Sequence, residues 1–118
     1  MSRVFVVQNQ HRWDGTLGQF VPKFDLSPAQ VFGDIVPLLS PTASPFNLGS
    51  ILGELRSKLS DFRDDDYILC VGNPILIALT FAIAADVNGG TATALQWSGK
   101  DRRYLPVGVT DLFGPEDQ

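Results

Sequence analysis

Gly72-Asn73-Pro74 stands between a short apolar run, Tyr67–Val71, and a much longer one that continues to Val87. A turn that ends a strand and opens a helix presents free backbone N–H groups and the positive end of the helix dipole, which together hold anions. Gly72, Asn73 and Ile75 are therefore the residues that would bind a nucleotide or another anion. The spacing is not the G-x-G-x-x-G of a dinucleotide turn, and Pro74 removes one N–H that a phosphate would use. The same residues also make a plain capped turn, with Asn73 as N-cap and Pro74 at the first helical position.

Other reactive side chains are few and scattered. Cys70 lies inside an apolar run, the setting of a buried small hydrophobe, whereas a nucleophilic thiol needs an exposed, electropositive site. His11 is the only histidine and sits in a polar stretch far along the chain from Cys70. One His and one Cys do not make a zinc site of the usual ligand count. The acids of "DFRDDD" lack the spacing of a calcium loop and read as a solvated connection. No metal site, no cofactor and no catalytic set is expected. "WSGKDRR" fails as a phosphate loop, because Ala94 stands where glycine is needed and Asp101 where Ser or Thr is needed. What remains is a basic cluster, Lys100, Arg102 and Arg103, near Trp97 and Tyr104. Cations beside stacking rings can hold single-stranded nucleic acid, but a solvated hairpin tip explains the same residues.

The elements that must position these groups alternate along the chain. "RVFVVQ" (Arg3–Gln8) is a β-branched and aromatic strand. "NQHRWDGTLGQ" reads as a loop or a loose hairpin tip, and "FVPKFDL" as an edge strand at best, since Pro22 cannot donate to a ladder. Ser27 and Pro28 open a helix of a turn or two that Gly33 ends. "IVPLL" (Ile35–Leu39) is a second strand interrupted by proline. In the next helix, Asn47–Leu59, Leu48, Ile51, Leu52, Leu55 and Leu59 form one apolar stripe, with Asn47 as the N-cap and Glu54 and Lys58 as an i,i+4 pair. Tyr67–Val71 reads as a strand covered on both faces. The helix Pro74–Asn88 follows, with Gly89 as its left-handed terminator. Thr91–Trp97 and "RYLPVGV" then form a hairpin. Such alternation predicts an α/β fold: a mostly parallel sheet with helices packed on it, right-handed crossovers and a C-terminal antiparallel edge hairpin. One domain is expected over residues 1–113, with residues 114–118 as a disordered tail.

The totals narrow the setting. The net charge is −4 over 118 residues, which disfavours a dedicated nucleic-acid binder because phosphate contacts demand basic charge. A single cysteine allows no intrachain disulfide and fits a reducing compartment. From Ile75 to Ala85 there are eleven residues, Thr80 among them, and Asp86 follows, well short of the roughly 20 apolar residues of a membrane span. The reading is a cytoplasmic protein with no membrane association.

"RVFVVQ", "DFRDDDYILCVGNPILIALTFAIAADVNGG" and "LQWSGKDRRYLPV" together resemble small proteins encoded in tailed-phage genomes, over about Arg3 to Val107. The resemblance brings no catalytic residues. It implies a phage accessory protein working in the host cytoplasm. With the missing catalytic set, the function expected is non-enzymatic interaction, with a host protein as one partner. The alternative is a small-ligand domain that uses the Gly72 turn.

The helix from Pro74 is apolar almost all round, more than one sheet face can cover. Either the N-terminal loops cover its far side or a second chain does. Ala78, Ala82 and Ala85 are small enough for close approach, so a twofold homodimer is expected, with Leu79 and Ala82 at its centre.

Overall fold

The protein is described here by a computed structural model covering residues 2–115. In chain order the elements are β1 (Arg3–Gln8), β2 (His11–Asp14), β3 (Gln19–Pro22), a 3-10 helix (Ser27–Phe32), β4 (Asp34–Leu39), α1 (Leu48–Lys58), β5 (Tyr67–Leu69), α2 (Pro74–Val87), β6 (Ala92–Ser98) and β7 (Arg103–Val109). Five strands form the main sheet in the order β4-β1-β5-β6-β7, and β2 and β3 pair separately. The pairs β1–β4, β1–β5 and β5–β6 are parallel, while β6–β7 is antiparallel. The fold is thus α/β, mostly parallel, with the antiparallel edge hairpin at the C-terminal end. β5 lies at the centre, as its uninterrupted apolar run requires.

The topology decides which face each connection covers. From β1 the chain steps outward to β4. From β4 it crosses back past β1 to β5, and then on to β6. Right-handed crossovers in opposite directions lie on opposite faces. So α1 and α2 share one face, while the β1-to-β4 connection covers the other. The helical face holds the larger core, in which Phe5, Leu38, Leu55, Ile68 and Leu76 are buried together. The opposite face packs Val4, Val6, Leu69, Leu95 and Tyr104 against the short 3-10 segment. One short helix cannot cover a five-stranded sheet, and this asymmetry recurs at the site below.

Three local expectations are corrected. Ser27 is not the cap of its helix: the N-cap position is Leu26, and Asp25 Oδ1 accepts from Ser27 N at 3.0 Å instead. Asn47 makes no side-chain cap on α1. The "DFRDDD" segment is not uniformly solvated, because Asp66 is fully buried. Its carboxylate accepts from Arg3 Nη2 at 2.6 Å, Arg3 Nε at 3.1 Å, Arg3 N at 3.2 Å and Arg63 N at 3.1 Å. Arg3 also reaches Asp61 Oδ1 at 3.1 Å. Its pKa is raised above the ordinary value, chiefly by the hydrogen bond to Asp66. The connection is therefore clamped to the first residues of β1.

Asn73 does cap α2, accepting from Ile75 N at 2.9 Å and Leu76 N at 3.4 Å. At the other end Gly89 takes φ +65, the left-handed geometry that stops the helix. Of the C-terminal tail, Gly114 N donates to Asp111 O at 2.9 Å. Residues 116–118 lie outside the described residues.

Candidate functional site

Strand order reverses between β1 and β5, since β1 connects outward to β4 while β5 connects outward to β6. In open α/β sheets a crevice opens beyond the carboxyl ends of such a pair, and ligands bind there. Gly72 and Asn73 do stand at that point. The crevice, however, is filled by the chain itself. Gln8, the last residue of β1, is 2% exposed. Its Nε2 donates to Ala43 O at 2.9 Å, Ser40 O at 3.2 Å and Pro41 O at 3.3 Å, and its Oε1 accepts from Asn73 N at 3.0 Å.

Gly72 is needed for this fit. It takes φ +122, and a Cβ there would come 2.6 Å from Gln8 Cβ. With Asn73 N on Gln8 and Ile75 N on the Asn73 side chain, both amides proposed for an anion are already engaged. The turn is a junction that ties β1, the loop after β4 and α2 together. The signal for it was a glutamine ending an otherwise apolar strand, which invites a partner but does not say which.

The face with less cover carries a hollow of about 710 Å³, within the range of roughly 300–1,000 Å³ usual for small-molecule pockets. Phe24, Leu69, Leu95, Trp97 and Tyr104 supply most of its wall, and Asp25 stands at its edge. Leu95 and Trp97 share a face because side chains alternate along β6, and Tyr104 lies opposite Trp97 across the β6–β7 ladder. The two rings meet edge to face, 5.0 Å between centroids. Phe24 and Trp97 are about half exposed, whereas Tyr104 is 6% exposed. Burial, and then the charge of Asp25, push the Tyr104 hydroxyl above its ordinary pKa. Asp25 itself is held below the usual carboxylate value by hydrogen bonds from Ser27. Cys70 also lines this hollow, and burial raises its pKa, so at neutral pH it is a thiol and a poor nucleophile. Among these residues the sequence marks only Cys70 as a candidate for chemistry. In the sequence Trp97 and Tyr104 stand out only as neighbours of the basic cluster.

The remaining groups fall elsewhere. Lys100, Arg102 and Arg103 are exposed at the β6–β7 turn, with Arg102 at φ +54. Their aromatic neighbours face the hollow and form no platform beside them. His11 lies exposed on β2. Among the described residues no group of three or more His, Cys, Asp or Glu side chains could hold a metal ion. No helix among them is long and apolar enough to cross a membrane.

Two apolar surfaces are uncovered. On α2, Ile75, Ala78 and Ala82 are exposed and Leu79 is half-buried, so the N-terminal loops do not close over this side. The β2–β3 hairpin packs chiefly on itself. It exposes Trp13 (57%), Leu17 (61%) and Phe20 (66%), with Trp13 and Phe20 stacked edge to face at 5.2 Å.

A family model described as Phage Pam3 gp32-like protein matches residues 2–111 of the chain. No curated protein matches it, and no solved structure does.

Proposed function

The chain belongs to the Phage Pam3 gp32-like protein family, and on that footing we propose that it is a non-enzymatic accessory protein that works by association in the host cytoplasm. The observation that carries the reading is the uncovered stripe Ile75, Ala78, Leu79 and Ala82 on α2. No charged residue occurs between Pro74 and Ala85, so a second copy of the same stripe meets it without repulsion. The alanines let two helices approach closely. An apolar patch of this kind on a monomer is an association hazard, and a twofold contact removes it with a single surface.

Light scattering on the purified protein at tens of micromolar should give twice the chain mass. Ala82→Glu should give the single-chain mass with the native far-UV circular dichroism retained, because position 82 is already exposed and the new carboxylates would face each other across the twofold axis. Its melting temperature should lose the concentration dependence that a dimer has. Leu79→Glu is a less clean test, since Leu79 also packs against the core. A wild-type monomer would refute the dimer.

The free-standing hairpin supports a second partner. An isolated two-stranded hairpin is marginal in water, and one that also shows stacked aromatics to solvent is suited to docking. Trp and Phe anchors dominate protein contacts. Its partner in this reading is a host protein. Trp13→Ser combined with Phe20→Ser removes a cross-strand pair worth about 1 kcal/mol to the hairpin alone, should leave the main sheet folded, and should abolish recovery of the protein that the wild type retains from host lysate. Equal recovery by both forms would place the contact elsewhere.

A further inference from the structure

The hollow on the sheet face opposite α1 and α2 has the features of a ligand site rather than of an unfilled gap. Its walls are rings and branched aliphatics, and its floor is the carboxyl-terminal end of β5 beside β6, where ligands of open sheets gather. Tyr104 is 6% exposed and closes one side of the hollow with its ring, edge to face with Trp97. An adjacent hollow of about 350 Å³ shares Phe24 and Asp25 with the first and is lined by Asn9. The Asn9 Oδ1 atom is buried with no hydrogen-bond partner among the described residues. Asn9 Oδ1 and the Asp25 carboxylate are both acceptors, and neither hollow is lined by Lys, Arg or His. The unmet group is an acceptor, Asn9 Oδ1, while Asp25 is exposed and already accepts from Ser27 N at 3.0 Å, and Lys23 Nζ lies over the Phe24 ring at 5.7 Å. A ligand that brings a donor suits this place better than an anion.

We propose that this hollow binds a small planar aromatic molecule carrying an amino group. Its ring lies against Phe24 and Trp97, and its N–H groups point to Asp25 and Asn9. Half-exposed aromatics at the edge of an apolar hollow take a flat ring by stacking. A carboxylate beside them favours an amine over an acid of the same shape, and attracts a cation most strongly. Two sources have this chemistry, a nucleobase with an exocyclic amine and an aromatic alkylamine.

The test uses matched pairs in titration calorimetry. Adenosine is compared with adenosine monophosphate, and tryptamine with indole-3-acetate. At least one amine should bind with a dissociation constant on the order of 1 mM or below, in line with the affinity such small ligands reach. Its anionic counterpart should bind roughly tenfold more weakly. Asp25→Asn, at an exposed position, should erase that preference. Trp97→Ala should abolish binding while leaving the melting temperature near that of the wild type. Adenosine alone would identify a nucleobase site, and tryptamine alone an alkylamine site. The proposal is overturned if neither amine binds at millimolar concentration, if Asp25→Asn keeps the preference, or if Trp97→Ala binds as well as the wild type.

Discussion

Asp66→Ala is expected to destabilise the protein by about 4 kcal/mol, the range found when one partner of a buried ion pair is removed. Four donors converge on this carboxylate, two of them from the Arg3 guanidinium in a bidentate grip and two from backbone amides. Truncation leaves all four without this acceptor; Asp66 is fully buried, and the Arg3 side chain, 23% exposed, meets water only in part. Arg3 retains the Phe5 ring, 4.9 Å from its guanidinium carbon, and Asp61, which is 72% exposed on its side chain and contributes little in that setting. The effect should appear in urea unfolding as a lower midpoint with an unchanged slope. Asp61→Ala should cost under about 1 kcal/mol by the same measure. A loss below about 1 kcal/mol for Asp66→Ala would mean that the clamp between β1 and the segment before β5 does not hold the fold.

Gln8→Leu should cost roughly 3–4 kcal/mol, because a buried polar group that loses its partner bears the full desolvation penalty. Leucine fills nearly the same space but offers neither donor nor acceptor. The Asn73 amide loses its acceptor, and the carbonyls of Ser40, Pro41 and Ala43 lose their common donor. The loop after β4 is then no longer tied to the start of α2. Hydrogen exchange should show faster exchange at Asn73 and in residues 40–47, while β5 and β6 keep their protection. A stability within about 1 kcal/mol of the wild type would show that the crevice at the strand reversal is filled by packing alone, with its polar contacts idle.

Both predictions fall on residues whose importance the sequence understated. Asp66 is one of four acids in a short polar stretch, and composition gives each the same solvated reading. Only the spatial arrival of Arg3, from 63 positions away, separates it from its neighbours. Gln8 ends an apolar strand, and nothing local names the loop carbonyls that it reaches 32 to 35 positions later. Local caps behaved unevenly for a related reason. Asn73 caps α2 from an extended backbone, φ −66 and ψ 134, as an N-cap requires, whereas Asn47 stands at φ −117 and ψ 58, and Ser27, although it too precedes a proline, lies inside its 3-10 segment one residue past the N-cap Leu26.

Periodicity and punctuation by themselves determined the architecture. The β-branched runs, the stripe through Leu55, the Asn-Pro start and Gly-Gly end of α2 and the alternation of strand with helix required a mostly parallel sheet with an antiparallel end. They also required that α2 carry more apolar surface than one sheet face takes up. These are short-range properties, set by backbone sterics and by side-chain spacing within one element. Tertiary structure alone decided what the loops do. The handedness of the crossovers placed both long helices on one face and left the other to a single 3-10 turn, which opened the hollow beside Trp97 and Tyr104. The same topology brought Gln8 against Gly72 and closed the crevice where an anion was expected. Burial, and therefore the cost or use of a polar group, depends on what arrives from distant parts of the chain, and no local pattern encodes that arrival.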